Sequence, residues 1–214
     1  MPMVLMAGIG GGYNDAAQHS QCLYGTFAHM PGMKVVVPSN PYDAKRLLIQ
    51  SIRDNDPVIF LEHKNLYAST ADVPEEPYTI PFGEANIVRE GGDATIVTYG
   101  QMVGRSLEAA EMLKKDGIEV EVIDLRTVSP IDFATVVDSV RRTGRCIVVH
   151  EAPVFHGTGA EVAARVTEEC FYSLEAPVLR VGGFHTPYPV SKIEHDYLPG
   201  LDRVLDAVDR ALAF

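Results

Sequence analysis

No stretch of this sequence approaches the roughly eighteen consecutive apolar residues of a membrane-crossing helix. Its opening, MPMVLMAG, has neither the cationic flank nor the apolar length of a secretory leader. Cysteine is scarce. Cys22, Cys146 and Cys170 are odd in number and far apart, which excludes a disulfide framework and a CxxC metal pair and points to reduced thiols in a cytoplasmic protein. Positive charge is in deficit, with 18 Lys and Arg against 29 Asp and Glu and a net charge of −11, which argues against nucleic acid and against an anionic membrane as partners. The excess acidity reads first as a means of staying soluble. Several chemical signatures are missing as well. There is no G-x-S-x-G elbow, no Gly-Lys-Ser/Thr phosphate loop and no zinc helix, since His150 and His156 in HEAPVFH have the wrong spacing and enclose Pro153. No internal repeat or low-complexity tract interrupts the chain.

What is present is a 214-residue chain, 46% hydrophobic, in which apolar strands and amphipathic helices alternate. Val4–Ala7 reads as a strand. DAAQHSQCLYGTFAHMPG reads as a short helix, capped by Asn14, Asp15 or Ser20 and stopped by Pro31-Gly32. The run Val35–Val37 suits a strand buried on both faces. Ser39-Asn40-Pro41 then opens a helix with Asn40 as cap, and Ala44, Leu47, Leu48 and Ile52 share its buried face. VIFLEH completes a strand–helix–strand unit and so predicts a parallel sheet. Ala68–Glu84, with Pro74, Pro77 and Pro81, reads as an extended linker.

The alternation then resumes. ATIVTYG, VEVIDLRT, RCIVVHEA and PVLRVGG read as strands. MVGRSLEAAEMLKKDG, SPIDFATVVDSVRRTG (with Ser129 as cap and Pro130 at the first helical position), AEVAARVTEECFYSL and LDRVLDAVDRALAF read as helices. This back portion predicts a complete α/β domain. The front portion has too few helices to cover both faces of its own sheet, so it is expected to need a neighbour or further residues. On that expectation Val4–Met6 and Val35–Val37 would be exposed and would promote association.

The stretch richest in chemistry is GIGGGYNDAAQHSQ, Gly8–Gln21. As a dinucleotide fingerprint it fails, because Tyr13 stands where the third glycine belongs and no acidic residue follows at the proper distance. The glycines suit a sharp turn pressed close to something bulky. His19, flanked by Gln18 and Ser20, is expected near a helix N-terminus, which favours a neutral imidazole able to exchange protons with a ligand. A histidine hydrogen-bonded within its own loop is the other reading, and the residues alone leave both open. Among the remaining histidines, His29 precedes a turn, His63 ends a strand and His195 lies in a loop.

AAQHSQ, taken with PGMKVVVPSNPYDAKRLLIQSIRDNDPVIFLEHKNLY, resembles the β subunit of the thiamine-diphosphate-dependent E1 component of 2-oxo acid dehydrogenase complexes, a group that includes pyruvate, branched-chain 2-oxo acid and acetoin dehydrogenases. VPEEPYTIPFGEA, EVIDLRTVSPID, GRCIVVHEAP and EECFYSLEAPVLRVGGFHTPYP extend the likeness to nearly the whole chain. The resemblance implies the carboxy-terminal part of a pyrimidine-binding domain over 1–67, a linker over 68–84 and a transketolase C-terminal-type α/β domain with a mostly parallel sheet over 85–214. It further implies an α2β2 heterotetramer with an E1 α subunit and a lipoyl-bearing E2 acyltransferase as partner. Thiamine diphosphate would lie between α and β, with the diphosphate and Mg²⁺ held by α.

On the same likeness His19 is the active-site histidine facing the cofactor, with Gln18 beside it. Carbonyl oxygens of Ser51, Asp54 and Asp56 match part of a K⁺ site found in some members, and Phe214 matches a terminal residue that takes part in E2 docking in others. The implied activity is oxidative decarboxylation of a 2-oxo acid with acyl transfer to lipoyl-E2. The family's β subunit carries further residues ahead of the strand that PMVL resembles, among them the glutamate that activates the aminopyrimidine, and full activity is expected to need them. LEAPVLRVGGFHTPYP leans to the branched-chain type, AAQHSQ and EHKNLY to the pyruvate or acetoin types. A shortened assembly module that binds α or E2 without catalysis is the alternative.

Overall fold

The alternation of strands and helices builds two sheets that share one core. A computed structural model describes residues 1–214. The first sheet has the order β1-β3-β2-β7, with β1 (Met3–Ile9), β3 (Pro57–His63) and β2 (Lys34–Val36) parallel and β7 (Thr127–Ser129) antiparallel to β2. The second has the order β4-β6-β5-β8-β9, in which β6 (Val120–Asp124), β5 (Ala94–Thr98), β8 (Cys146–Pro153) and β9 (Leu179–Gly183) are parallel and β4 (Asn86–Arg89) is an antiparallel edge. The helices are α1 (Ala16–Ser20), α2 (Tyr24–Ala28), α3 (Pro41–Arg53), α4 (Met102–Lys114), α5 (Phe133–Thr143), α6 (Thr158–Cys170), α7 (Glu194–Tyr197) and α8 (Leu201–Leu212). None is long and apolar enough to cross a membrane.

The two-residue period of the strands sorts their side chains between layers. In the second sheet Ile96, Val122, Ile147 and Val149 face α4 and α8, where Ala109, Leu113, Val204 and Val208 meet them. The alternate residues Val97, Ile123 and Val148 face the other way, toward Val136 and Val140 of α5 and Val162 and Val166 of α6. That second cluster does not stop at the domain boundary, since it also contains Ile9, Cys22, Tyr24, Val35, Val37, Ile59 and Leu61 from the front portion. Val36, Val58 and Phe60 line the opposite face of the first sheet, under Leu47 of α3.

The expected start of α3 is present: Asn40 Oδ1 accepts the Asp43 N–H at 2.9 Å and Pro41 is the first helical residue. Its buried face is shorter than the spacing predicts. Leu47 is fully buried, whereas Ile52 is 66% exposed, on the last turn of the helix. Val35–Val37 is also not exposed, because β3 and β7 flank β2 while α3 and the shared core cover its two faces. Along β1, Met3, Leu5 and Met6 do keep an exposed apolar surface.

Two other expectations change. The single helix predicted after the glycines is split into α1 and α2, because Cys22 drops into the core between them. Ser129 does not cap a helix. Its backbone pairs with Val35 in β7 and its hydroxyl donates to Met33 O at 2.9 Å, so α5 starts at Phe133 with Asp132 as cap, accepting the Thr135 N–H at 3.1 Å. The proline-rich segment after β3 is strapped to α3. Ile80 is buried beneath the helix, and the Tyr42 and Tyr78 rings stack at 5.0 Å with the Arg46 guanidinium 4.9 and 5.0 Å from their respective centroids.

An ion pair closes the seam beside the shared sheet. Arg126, held at φ +59° between β6 and β7, donates from Nε and Nη2 to the two carboxylate oxygens of the buried Asp43, each at 3.0 Å. Val37 N–H donates to Arg126 O at 2.9 Å, which fixes β7 against β2. Arg126→Met leaves Asp43 buried without its partner, which costs about 3–5 kcal/mol. Urea unfolding of the variant against the parent checks this, and a loss under 1 kcal/mol (of the size of a surface ion pair) would show the pair to be dispensable.

Candidate active site

The turn after β1 takes its shape from what it packs against. Gly10 and Gly12 have φ of +93° and +95°, a region open to glycine. A Cβ on Gly10 would lie 2.0 Å from His63 Nε2, and one on Gly11 would lie 1.9 Å from the Tyr188 hydroxyl. Those are the bulky neighbours that the glycines imply. Gly11 N–H donates to Glu151 Oε1 at 2.7 Å, and Asn65 Nδ2 donates to Gly11 O at 2.9 Å. Glu151 Oε2 lies 2.6 Å from His63 Nε2. Because His63 Nδ1 accepts the Asn65 N–H at 3.2 Å, the ring proton belongs on Nε2 and is donated to Glu151.

Further along, Asn14 N–H donates to Glu194 Oε2 at 3.1 Å, the Tyr188 hydroxyl donates to Glu194 Oε1, and Ser191 Oγ donates to Asn14 O at 3.0 Å. Successive backbone N–H groups in such a turn make an anion-binding concavity. Here the protein's own carboxylates, Glu151 and Glu194, accept those N–H groups. Burial pushes the Glu194 carboxyl up, but the Tyr188 hydroxyl and the N–H groups of Gly12 and Asn14 outweigh it and hold the group below its usual range. Burial, reinforced by the Glu151 charge, raises the Cys22 thiol, which keeps it protonated.

This clamped turn delivers α1. His19 is the fourth of its five residues, in the last turn rather than at the expected helix start. Asp15 occupies the cap position without capping, because its carboxylate is drawn 2.6 Å from Lys64 Nζ. His19 and Gln18 are both exposed, and their side chains make no hydrogen bond within the chain. Behind them Ser20 and Gln21 border a cavity of about 340 Å³ whose far wall is Phe155, His156, His185 and Tyr188.

With this geometry in view, two family descriptions match: "Transketolase, pyrimidine binding domain" over residues 1–70 and "Transketolase, C-terminal domain" over residues 83–204. The chain belongs to the transketolase family. It is 52% identical over 212 residues to the acetoin:2,6-dichlorophenolindophenol oxidoreductase subunit beta of Cupriavidus necator, and 51% identical over 214 residues to the pyruvate dehydrogenase E1 component subunit beta of Bacillus subtilis. These alignments take in 99% and 100% of this chain but 63% and 66% of those relatives. A solved structure described as a split gene transketolase, inactive beta4 tetramer, superposes with a TM-score of 0.77 at 25% identity, over 98% of this chain and 65% of that one.

Within this transketolase frame the other candidate residues lie apart from His19. Ser51, Asp54 and Asp56 do converge at the end of α3, but around an ammonium group: Lys34 Nζ is 2.7 Å from Asp54 Oδ1 and 3.1 Å from Asp56 Oδ2. The Ser51 carbonyl takes the Asp54 N–H and its hydroxyl donates to Leu47 O at 2.6 Å. The Lys34 ammonium thus occupies the carboxylates of Asp54 and Asp56, and the expected K⁺ ligands are their backbone carbonyls. Phe214 is exposed at the end of α8, and His150 is buried, its Nδ1 2.9 Å from Ala152 O, with desolvation lowering it to about 4. His29, His156 and His195 are exposed.

No three His, Cys, Asp or Glu side chains gather in a group that could hold a metal ion. His19 and Gln18, with free polar atoms, fit one edge of a heteroaromatic ring held from outside the chain. Sequence reading overlooked Glu151, Glu194 and Tyr188. Glu151 had a signal, a carboxylate at the carboxyl end of a buried parallel strand, where open α/β sheets place their ligand-binding groups.

Gly10→Ala has to move His63 as well as adopt a left-handed backbone, and is expected to destabilise the protein by more than Gly117→Ala. At Gly117 φ is +80° but nothing lies within 4 Å, so the cost there is about 1–2 kcal/mol. Equal thermal shifts in the two variants would remove His63 as the reason for the glycine.

The Lys34 hydrogen bond lowers the Asp54 carboxyl, so its contribution to stability is present above the ordinary aspartate value of about 3.9 and fades as pH falls through the lowered one. The stability gap between the parent and Lys34→Met should accordingly be constant from neutral pH down to about 5 and shrink below about 4. Unfolding curves across that range test it, and a gap that grows in acid contradicts the pairing.

Proposed function

We propose that this chain serves as the β-type part of a thiamine-diphosphate-dependent, acyl-transferring oxidoreductase, paired with an α-type subunit and acting on pyruvate or acetoin. One observation carries the reading: an exposed imidazole, His19, follows a turn whose Gly11 and Asn14 N–H groups are held by the chain's own carboxylates, in a chain about half identical to beta subunits named for those two activities. The relatives favour these substrates over a branched-chain 2-oxo acid, toward which LEAPVLRVGGFHTPYP leans.

Residues 1–67 then act as the pyrimidine-side portion, 68–84 as the strap between domains and 85–214 as the transketolase C-terminal-type domain. Thiamine diphosphate, when bound, supplies the carbanion chemistry that releases CO₂ from a 2-oxo acid or cleaves acetoin. His19 holds or moves a proton beside the reacting carbon, and Gln18 orients the ligand through its amide. Glu151 and His63 keep the turn in place and exclude water from behind it. The α subunit and lipoyl-E2 complete the assembly, with the exposed Phe214 end as an E2 contact.

The test is turnover of pyruvate, 3-methyl-2-oxobutanoate and acetoin by this chain co-expressed with an α-type subunit, with thiamine diphosphate, Mg²⁺ and an artificial electron acceptor. Turnover of pyruvate or acetoin, reduced about 10²-fold or more in His19→Ala, is the expected result. Activity that survives His19→Ala would remove that residue from the chemistry. Binding to the α subunit without turnover would favour the assembly-module reading.

A further inference from the structure

We propose that Glu194 is a positioning residue for His19, acting through the backbone of the turn rather than by touching a ligand. The inference rests on the role assigned to His19 above.

Five residues are too few for α1 to hold its own shape, since a single helical turn is not stable by itself. The approach to it is also unfavourable. Asn14 and Ala16 have φ of +60° and +54°, where residues with a Cβ are disfavoured by about 1–2 kcal/mol each. Something must fix Asn14 there, and that something comes from the far end of the chain. The Glu194 carboxylate accepts the Asn14 N–H, and Ser191 Oγ donates to the Asn14 carbonyl, so both peptide groups of this strained residue are held by one short segment.

Glu194 is itself 1% exposed and is oriented by the Tyr188 hydroxyl on its other oxygen. The Tyr188 ring is seated against Gly11, where a side chain of any size would displace it. The segment from Phe184 to Tyr197 therefore works as a clamp. It contributes no strand to either sheet, and Glu194 is directed to the residue five positions before His19. Glu151 is different in kind. It is bound to His63 and lies against Cys22 in the shared core, so its loss would be felt as general instability.

Two readings of one set of variants test the proposal: Glu194→Ala, Glu194→Gln and Tyr188→Phe, with the fully exposed Tyr172→Ser as a neutral control. In the chain alone, the imidazole resonances of His19 are recorded by NMR, with His29, exposed after α2, as reference. Glu194→Ala should shift or broaden His19 and leave His29 unchanged, with smaller changes in Glu194→Gln and Tyr188→Phe, which keep most of the shape. In the complex with the α subunit, kcat should fall about 10²-fold in Glu194→Ala with KM little changed, as expected when a reacting group is displaced by about 1 Å.

If Glu194→Ala does not fold, the other two variants carry the test. A His19 signal that stays put in every folded variant overturns the proposal, as does an unchanged kcat in an enzyme that turns over. Absence of turnover in the parent complex defeats the functional reading instead, and the NMR result then decides the positioning role by itself.

Discussion

The turn after β1 begins buried at Gly10 and Gly11, where an unpaired N–H donor costs about 1–3 kcal/mol, and emerges to the surface at Tyr13 and Asn14. Carboxylates from the other domain pair the N–H groups of Gly11 and Asn14. Each partner solves the other's difficulty, since Glu151 and Glu194 are buried charges that need donors and the turn is a row of donors that needs an acceptor. The glycines, the tautomer of His63 and the exposure of His19 follow from this exchange. Gly10 is small because His63 must reach Glu151, and His19 stays exposed on the turn's outer side.

The same seam explains why the two domains behave as one body. β7 leaves the second domain to complete the first sheet, and a single cluster of 21 buried residues, large enough to be the principal core, takes side chains from both. It also changes the meaning of the acidic composition. Asp43, Asp124, Glu151 and Glu194 are all buried at the junction, paired with Arg126, Ser39, His63 and Tyr188. Asp124 shows the cost, as burial pushes it up to about 6 despite the Ser39 hydroxyl and the Arg126 N–H. Part of the negative charge thus fastens the domains together and does not serve solubility.

His19 sits on the front domain, while the turn ahead of it is bonded to Glu151 of β8 and Glu194 of α7 from the other. Lys34 has a comparable role at the far end of the front domain, where an ammonium of the chain itself supplies the positive charge between Asp54 and Asp56.

Much of this molecule was legible in its sequence. The capped start of α3, the strand Val35–Val37 buried on both faces and the alternating parallel layers after residue 85 follow from short-range rules of capping and periodicity. The order and wording of AAQHSQ and its neighbours placed His19 in a thiamine family. The acceptors for the glycine turn could not be read there, because Glu151 and Glu194 stand 140 and 180 residues from Gly11 and Asn14, the residues whose N–H groups they accept, and no local pattern marks that pairing. Local rules also misplaced the start of α5 and the extent of the helix around His19, since β7 pairing and the burial of Cys22 override propensity there. Sequence by itself determined the elements and the family, which depend on neighbours along the chain. Tertiary structure decided which carboxylates are buried, which cavity borders α1 and which histidines are exposed, because those depend on what a group meets once water is excluded.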